Sequence, residues 1–169
     1  MPKIFLIGCI TLGGLGIGAF LGWYFTGHRY CVQIKHLREL SEKYLMWVRL
    51  YDIWMMDDER GRTIEDYLIA RGSRNIAIYG MSYLGIRLCR RLKQRGIINV
   101  EYAMDSNPQI ELPDIVIYYP GSEKRNVDSV IVTAIYSFDA IRERLLQRGY
   151  KHVYAIDEIL YDLLKDNAD

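Results

Sequence analysis

The residues best suited to ligand chemistry in this sequence lie at 75–105. An apolar run at 76–79 ends at Gly80, and a second apolar run at 100–104 ends at Asp105, with a helical pattern between them. In such an arrangement the first N–H groups and the positive dipole end of the helix can receive a phosphate group. An acid after the second strand stands where a carboxylate accepts hydrogen bonds from ribose hydroxyls. The spacing therefore predicts a nucleotide-binding turn.

The turn departs from the full dinucleotide fingerprint G-x-G-x-x-G at its middle position. Gly80 permits the tight turn, and Gly85 lets the helix pack closely on the sheet. Ser82 replaces the middle glycine, so its Cβ crowds a pyrophosphate, whereas its hydroxyl can donate to a phosphate oxygen or cap the helix. Asp105 either reads ribose hydroxyls, disfavouring an added 2′-phosphate, or bonds local backbone N–H groups. The predicted ligand is NAD or a nucleotide sugar, and the predicted cofactor-binding residues are Gly80, Met81, Ser82, Tyr83, Leu84, Gly85, Asp105 and Thr133.

Few residues in the sequence match a known catalytic pattern. Tyr161 and Lys165 share the spacing of a reductase Y-x-x-x-K pair, but the apolar stripe of their helix leaves them mainly on its outer face, so we interpret the match as chance. Tyr136 and Asp139 follow the fourth predicted strand, where ligands gather in parallel sheets, although Asp139 also suits a helix N-terminus. The three cysteines and three histidines are scattered, so no metal site is predicted. Catalytic residues stay unknown, and whether the protein is an enzyme stays open.

The elements that must position this site alternate along the chain after Gly72. Strands are predicted at 75–79, 99–104, 115–118, 128–133 and 152–156, and helices at about 83–95, 138–148 and 158–165. Several strands are apolar on both faces, as expected when helices cover both sides of a parallel sheet. Right-handed crossovers predict a doubly wound, five-stranded Rossmann-like sheet in the order 3-2-1-4-5. The connections over 106–113 and 120–123 are rich in turn formers and are predicted to lack a full helix.

An uncharged apolar segment precedes this α/β region. A helix over residues 4–25 would rise about 33 Å, enough to cross a bilayer core of about 30 Å. A signal peptide is the alternative, but no small-residue cleavage site follows. The excess of basic residues after the segment predicts a single-pass anchor in the cell inner membrane with the C-terminal domain in the cytoplasm. Gly14, Gly18 and Gly22 share one helix face, which could support a homo-oligomer or a membrane-protein partner.

A connecting amphipathic helix is predicted from residue 33 to about residue 56. Its apolar stripe packs on its own domain or, alternatively, forms a short parallel coiled coil; the stripe comprises Leu37, Leu40, Tyr44, Trp47, Tyr51 and Trp54. The polar run 57–62 is a predicted hinge, after which Thr63 and Asp66 can cap a short helix that ends at Gly72. The predicted domains are a transmembrane anchor at 1–27, the connecting helix and hinge at 28–61, and a Rossmann-like domain at 62–169.

The overall charge excludes one class of partner. With 22 basic and 21 acidic residues, no net field favours nucleic acid, and none is predicted as a partner. The membrane, contacted through residues 4–25, is the predicted partner.

Three stretches carry a family resemblance: residues 62–68, residues 75–88 and the later run 128–134. They resemble Rossmann-like modules that accompany bacterial surface-polysaccharide and glycosyltransferase systems, in which glycine usually stands at the position of Ser82. The resemblance implies a nucleotide or nucleotide-sugar module, often without activity of its own. We therefore expect a membrane-anchored nucleotide-binding domain in polysaccharide biosynthesis. The alternative is a non-catalytic scaffold or regulatory partner of a membrane-bound glycosyltransferase.

Overall fold

The first element is one long helix, α1, over Pro2–Glu59. The computed structural model describes the backbone of residues 2–107, 110–122 and 126–165, and the side chains of these residues from Tyr30 onward. The chain divides into the units Met1–Met46 and Trp47–Asp169. The predicted anchor at 4–25, with Gly14, Gly18 and Gly22, lies outside the residues whose side chains are described. Within the part that is described, no helix combines the length and the apolar character needed to span a bilayer.

The second unit contains a five-stranded, all-parallel sheet with helices on both sides. Its strands are β1 (Asn75–Tyr79), β2 (Asn99–Met104), β3 (Ile117–Tyr118), β4 (Ser129–Val132) and β5 (Val153–Ala155). Its further helices are α2 (Ile64–Ala70), α3 (Tyr83–Arg95), α4 (Phe138–Gln147) and α5 (Ile156–Lys165). The strand order β3-β2-β1-β4-β5 confirms the prediction. Between β2 and β3 the described residues form turns and one isolated bridge, Leu112 to Ile115, and they contain no helix, in agreement with the prediction.

Alternation along the strands distributes the core between two faces of the sheet. On one face Ile141 and Leu145 of α4 pack in a buried cluster with Ala77, Val130 and Val132 from the central strands. The leucine stripe of α3, Leu84, Leu88 and Leu92, is buried as well. Because β1 and β4 are parallel neighbours, their carboxyl ends lie at the same edge of the sheet, where the predicted site begins.

The last turns of α1 belong to the core of the second unit. Leu50, Ile53 and Trp54 are 0%, 8% and 4% exposed. In contrast Leu37 and Tyr44 are 64% and 59% exposed. Of the predicted stripe, Trp54 is therefore packed in the core of the second unit, whereas Leu37 and Tyr44 lie in the first unit, where packing on the domain stays a prediction. The last turns of α1 carry apolar side chains on nearly every side of the helix. The spacing of these residues therefore did not show which side would be buried.

The predicted break at 57–62 is a hydrogen-bonded turn. The Arg62 N–H donates to the Asp57 carbonyl at 2.9 Å, and the Gly61 N–H donates to the Asp58 carbonyl at 3.0 Å. The predicted cap of α2 is confirmed, because the Asp66 N–H donates to Thr63 Oγ1 at 3.2 Å and the Thr63 N–H donates back to Asp66 Oδ2 at 3.1 Å. This reciprocal pair fixes the direction in which the chain leaves α1.

Candidate functional site

The turn between β1 and α3 lies at the carboxyl end of the central strand, beside the switch point between β1 and β4. Gly80 adopts φ +96, a left-handed conformation that favours glycine. Its N–H donates to the carbonyl of Met104 at 2.8 Å, so the turn is tied to β2. A Cβ on Gly85 would overlap the Gly80 carbonyl oxygen, which shows how closely α3 meets the turn. Both glycines therefore have the steric roles that the sequence predicted.

Asp105 is the acid at the end of β2, and it bonds to the turn itself. Its Oδ2 accepts a hydrogen bond from the Met81 N–H at 2.5 Å, and its Oδ1 accepts one from the Asn107 N–H at 2.7 Å. The side chain is half-buried. Of the two roles considered for Asp105, bonding to local backbone N–H groups is the one present in this structure. Each oxygen still has a second lone pair with which it can accept another donor.

Thr133, at the end of β4, holds the turn from the opposite side. Its side chain is buried, and its hydroxyl donates to the Gly80 carbonyl at 2.5 Å and lies 3.3 Å from the Tyr79 carbonyl. A Cβ on Gly80 would come within 2.9 Å of this hydroxyl oxygen. Thr133 therefore contacts the backbone of the turn, and its hydroxyl proton is already used there.

The side chains of the turn divide into buried and exposed members. Met81 and Leu84 are each 1% exposed, so they can meet a ligand only through their backbone. Ser82 is exposed at the N-cap position of α3 and makes no side-chain capping bond, and Tyr83 is 54% exposed. The first turn of α3 contains no acidic residue. The exposed hydroxyl of Ser82 makes no capping bond, and the first N–H groups of a helix have no partner within the helix, so these are the polar groups of the turn that a ligand could use.

The structure brings together the predicted cofactor-binding residues at the turn between β1 and α3, whereas other residues singled out in the sequence lie on the surface. Tyr136 is 57% exposed, and Asp139 is also exposed at the start of α4. Lys165 Nζ lies 3.5 Å from Asp162 Oδ1 on its own helix. Within the described residues, no group of three or more His, Cys, Asp or Glu side chains could hold a metal ion.

Sequence reasoning missed a charged groove between the end of α1 and the outer face of α3. Its central contact joins Arg91 to Asp58, which are also an ion pair. Burial raises the pKa of Asp58 above its ordinary value, and the Arg91 guanidinium opposes that rise. Arginines at positions 87, 90 and 91 share one helix face, which was the available signal, but their neighbour on α1 could not be known from spacing.

Comparison with known proteins assigns no family. No protein-family model matches the chain, and no curated protein matches it significantly. The class of the second unit is therefore given by its fold, a Rossmann-like α/β domain with a parallel sheet.

Proposed function

We propose that the chain is a membrane-anchored protein whose cytoplasmic Rossmann-like domain binds NAD or a nucleotide sugar in bacterial surface-polysaccharide biosynthesis. One observation supports a ligand that contains phosphate groups. The N-terminus of α3 lies at the carboxyl end of β1, without a side-chain cap and without an acid in its first turn. Such an uncapped helix end at a switch point of a parallel sheet attracts phosphate groups.

In this proposal the turn receives the diphosphate through the hydroxyl of Ser82 and the first N–H groups of α3. The N–H of Met81 takes no part, because it donates to Asp105. Asp105 holds the turn and uses its remaining lone pairs for ribose hydroxyls. Thr133 acts through the Gly80 carbonyl and therefore positions the turn.

Replacement of Ser82 tests the phosphate position without unfolding the domain. Ser82→Asp places a negative charge at the N-cap, which stabilises the helix and repels a phosphate. Ser82→Asn, a neutral cap of nearly the same size, is the matched control. We expect NAD or UDP-glucose to raise the melting temperature of the full chain in detergent micelles, and Ser82→Asp to abolish this shift while Ser82→Asn retains it. Equal ligand shifts in both variants would place the diphosphate elsewhere.

A second candidate is a non-catalytic scaffold or regulatory partner of a membrane-bound glycosyltransferase. It is favoured by the exposed apolar side chains on α1, among them Leu37, Leu45 and Val48, which are 64–66% exposed. Exposed apolar surface of this kind is typical of protein contacts. Absence of any melting shift with NAD, NADP or UDP-sugars at millimolar concentration would favour this candidate over the first.

A further inference from the structure

A groove of about 350 Å³ runs between the last turns of α1 and the outer face of α3. This volume lies within the range of small-molecule sites. It does not include the turn at Gly80. The groove is lined by Tyr51, Trp54, Met55, Asp58, Arg87, Arg90, Arg91 and Gln94.

The groove is lined by three arginines and one acidic residue, so its positive charge is only partly neutralised. Arg91 forms an ion pair with Asp58, and its guanidinium carbon lies 5.5 Å from the centre of the Trp54 ring. Arg87 and Arg90 form no ion pair with any carboxylate in the described part of the chain. Residues three and four apart on a helix are neighbours, and like charges at this spacing destabilise the helix. Arg87 and Arg90 are thus exposed arginines on one face of α3 without a carboxylate partner among the described residues, and the Arg87 guanidinium carbon lies 5.3 Å from the centre of the Tyr83 ring.

The wall opposite these arginines belongs to α1 and combines the carboxylate of Asp58, which is paired with Arg91, with accessible apolar side chains. Tyr51 is 36% exposed and Met55 is 50% exposed. Gln94 adds a neutral side chain that can both donate and accept hydrogen bonds. The groove thus offers cationic donors on α3 and an apolar surface on α1, a combination suited to a ligand with an anionic end and an organic body.

We propose that this groove binds a phosphate ester, with its phosphoryl group between Arg87 and Arg90 and its organic part against Tyr51 and Met55. Guanidinium groups present planar forks of donors that match the oxygens of a phosphate. The arginines lie on one face of α3 and line a pocket of small-molecule size. These features favour a phosphate ester over an acidic protein segment, which would need a longer basic surface. The site is separate from the proposed nucleotide turn and does not depend on it.

Calorimetric titration of the full chain in detergent micelles tests this site with two probes. Glucose 1-phosphate represents a soluble phosphate ester, and dihexanoyl phosphatidic acid represents a lipid headgroup. We expect one of them to bind, and the tighter probe identifies the source of the phosphate. Affinity should fall about tenfold or more for each guanidinium removed, since a hydrogen bond to a charged group typically contributes that much. Binding should also weaken as salt is raised.

The decisive comparison is between two double variants of equal charge. Arg87→Gln with Arg90→Gln should lose about a hundredfold in affinity for the bound probe. Arg142→Gln with Lys151→Gln removes the same charge outside the groove and should bind like the wild type. Equal affinities in the two double variants, no binding of either probe at millimolar concentration, or binding of hexaglutamate alone would each overturn the proposal. Ser82→Asp should leave this binding unchanged, so failure of the nucleotide turn and failure of the groove are distinguishable.

Discussion

Replacement of Asp105 measures how strongly the turn between β1 and α3 depends on this carboxylate. Two backbone N–H groups, those of Met81 and Asn107, donate to it at 2.5 Å and 2.7 Å. A hydrogen bond to a charged group contributes about 1.5–3 kcal/mol when it is protected from water. Asp105 is only half-buried, so water can replace part of each bond. We therefore expect Asp105→Ala to lower the free energy of unfolding by about 2–3 kcal/mol.

Asp105→Asn separates the two hydrogen bonds. The amide keeps one acceptor oxygen but turns its NH₂ group toward the other backbone N–H, so one of the two bonds is lost. The expected loss is about half that of Asp105→Ala. At about 2–4 °C of melting temperature per kcal/mol, the two variants should differ measurably in thermal unfolding followed by circular dichroism. Asp139→Ala is the matched control, because this exposed acid lies after β4 and should change stability by about 0.5 kcal/mol or less.

The outcome that would refute this reasoning is specific. If Asp105→Ala unfolds at the same temperature as the Asp139→Ala control, the carboxylate does not stabilise the turn. A loss of nucleotide binding in Asp105→Ala without a loss of stability would instead assign Asp105 to the ribose. Loss of both would show that the turn must be held by Asp105 before a ligand can bind.

Three other predictions concern the stability of the domain that contains the site. A fragment beginning at residue 57 should be less stable than one beginning at residue 47 by about 5 kcal/mol or more in chemical denaturation, because it lacks the buried Leu50, Ile53 and Trp54; equal stability would contradict their packing. Gly85→Ala should cost about 1–3 kcal/mol, because its Cβ would overlap the Gly80 carbonyl oxygen. Gly72→Ala, with nothing within 4 Å and only its φ of +71 opposing alanine, should cost about 1 kcal/mol in the same assay, and the reverse ranking would contradict the close approach of α3. Burial raises the pKa of Asp57, so its charged form is disfavoured in the folded state and the free energy of unfolding should fall as pH rises from about 4 through the raised pKa. Asp57→Asn should flatten this pH dependence while the exposed Asp52→Asn leaves it intact, and an unchanged profile in Asp57→Asn would show that the buried carboxylate does not titrate in this way.

The sheet and its order follow from local signals that agree with one another. The predicted bounds of α3, 83–95, are those observed, because Ser82 and Gly96 mark its ends and a leucine stripe sets its buried face. Strand β3 is shorter than predicted, two residues rather than four, because it pairs only with β2 at the edge of the sheet. An edge strand has one neighbour to define its length, whereas β1 has two.

The candidate site was predictable in composition, and one of the two roles considered for Asp105, bonding to local backbone N–H groups, is observed, but the particular partner atoms were not predictable. The sequence placed Asp105 at the end of β2 and Thr133 at the end of β4. Which atoms they contact depends on the path of the turn between Gly80 and Ser82, and this path is set by the packing of α3 on the sheet. At the end of α1 the predicted stripe runs through Tyr51 and Trp54, and of these only Trp54 is buried. The buried residues there are Leu50, Ile53 and Trp54. Which side of the helix is buried depends on the domain surface that it contacts, and the apolar pattern of the helix does not determine it.

Two side chains, one from the end of each strand that flanks β1, hold the turn from opposite sides. Asp105 of the β2 end accepts from the Met81 N–H, while Thr133 of the β4 end donates to the Gly80 carbonyl. The turn is therefore fixed before any ligand arrives, and little conformational entropy remains to be lost on binding. The same arrangement places a carboxylate next to the N-terminus of α3, where its charge opposes that of a phosphate. A ligand that binds here must gain more from ribose contacts with Asp105 than its phosphate loses to that charge, which favours a nucleotide over inorganic phosphate at this turn.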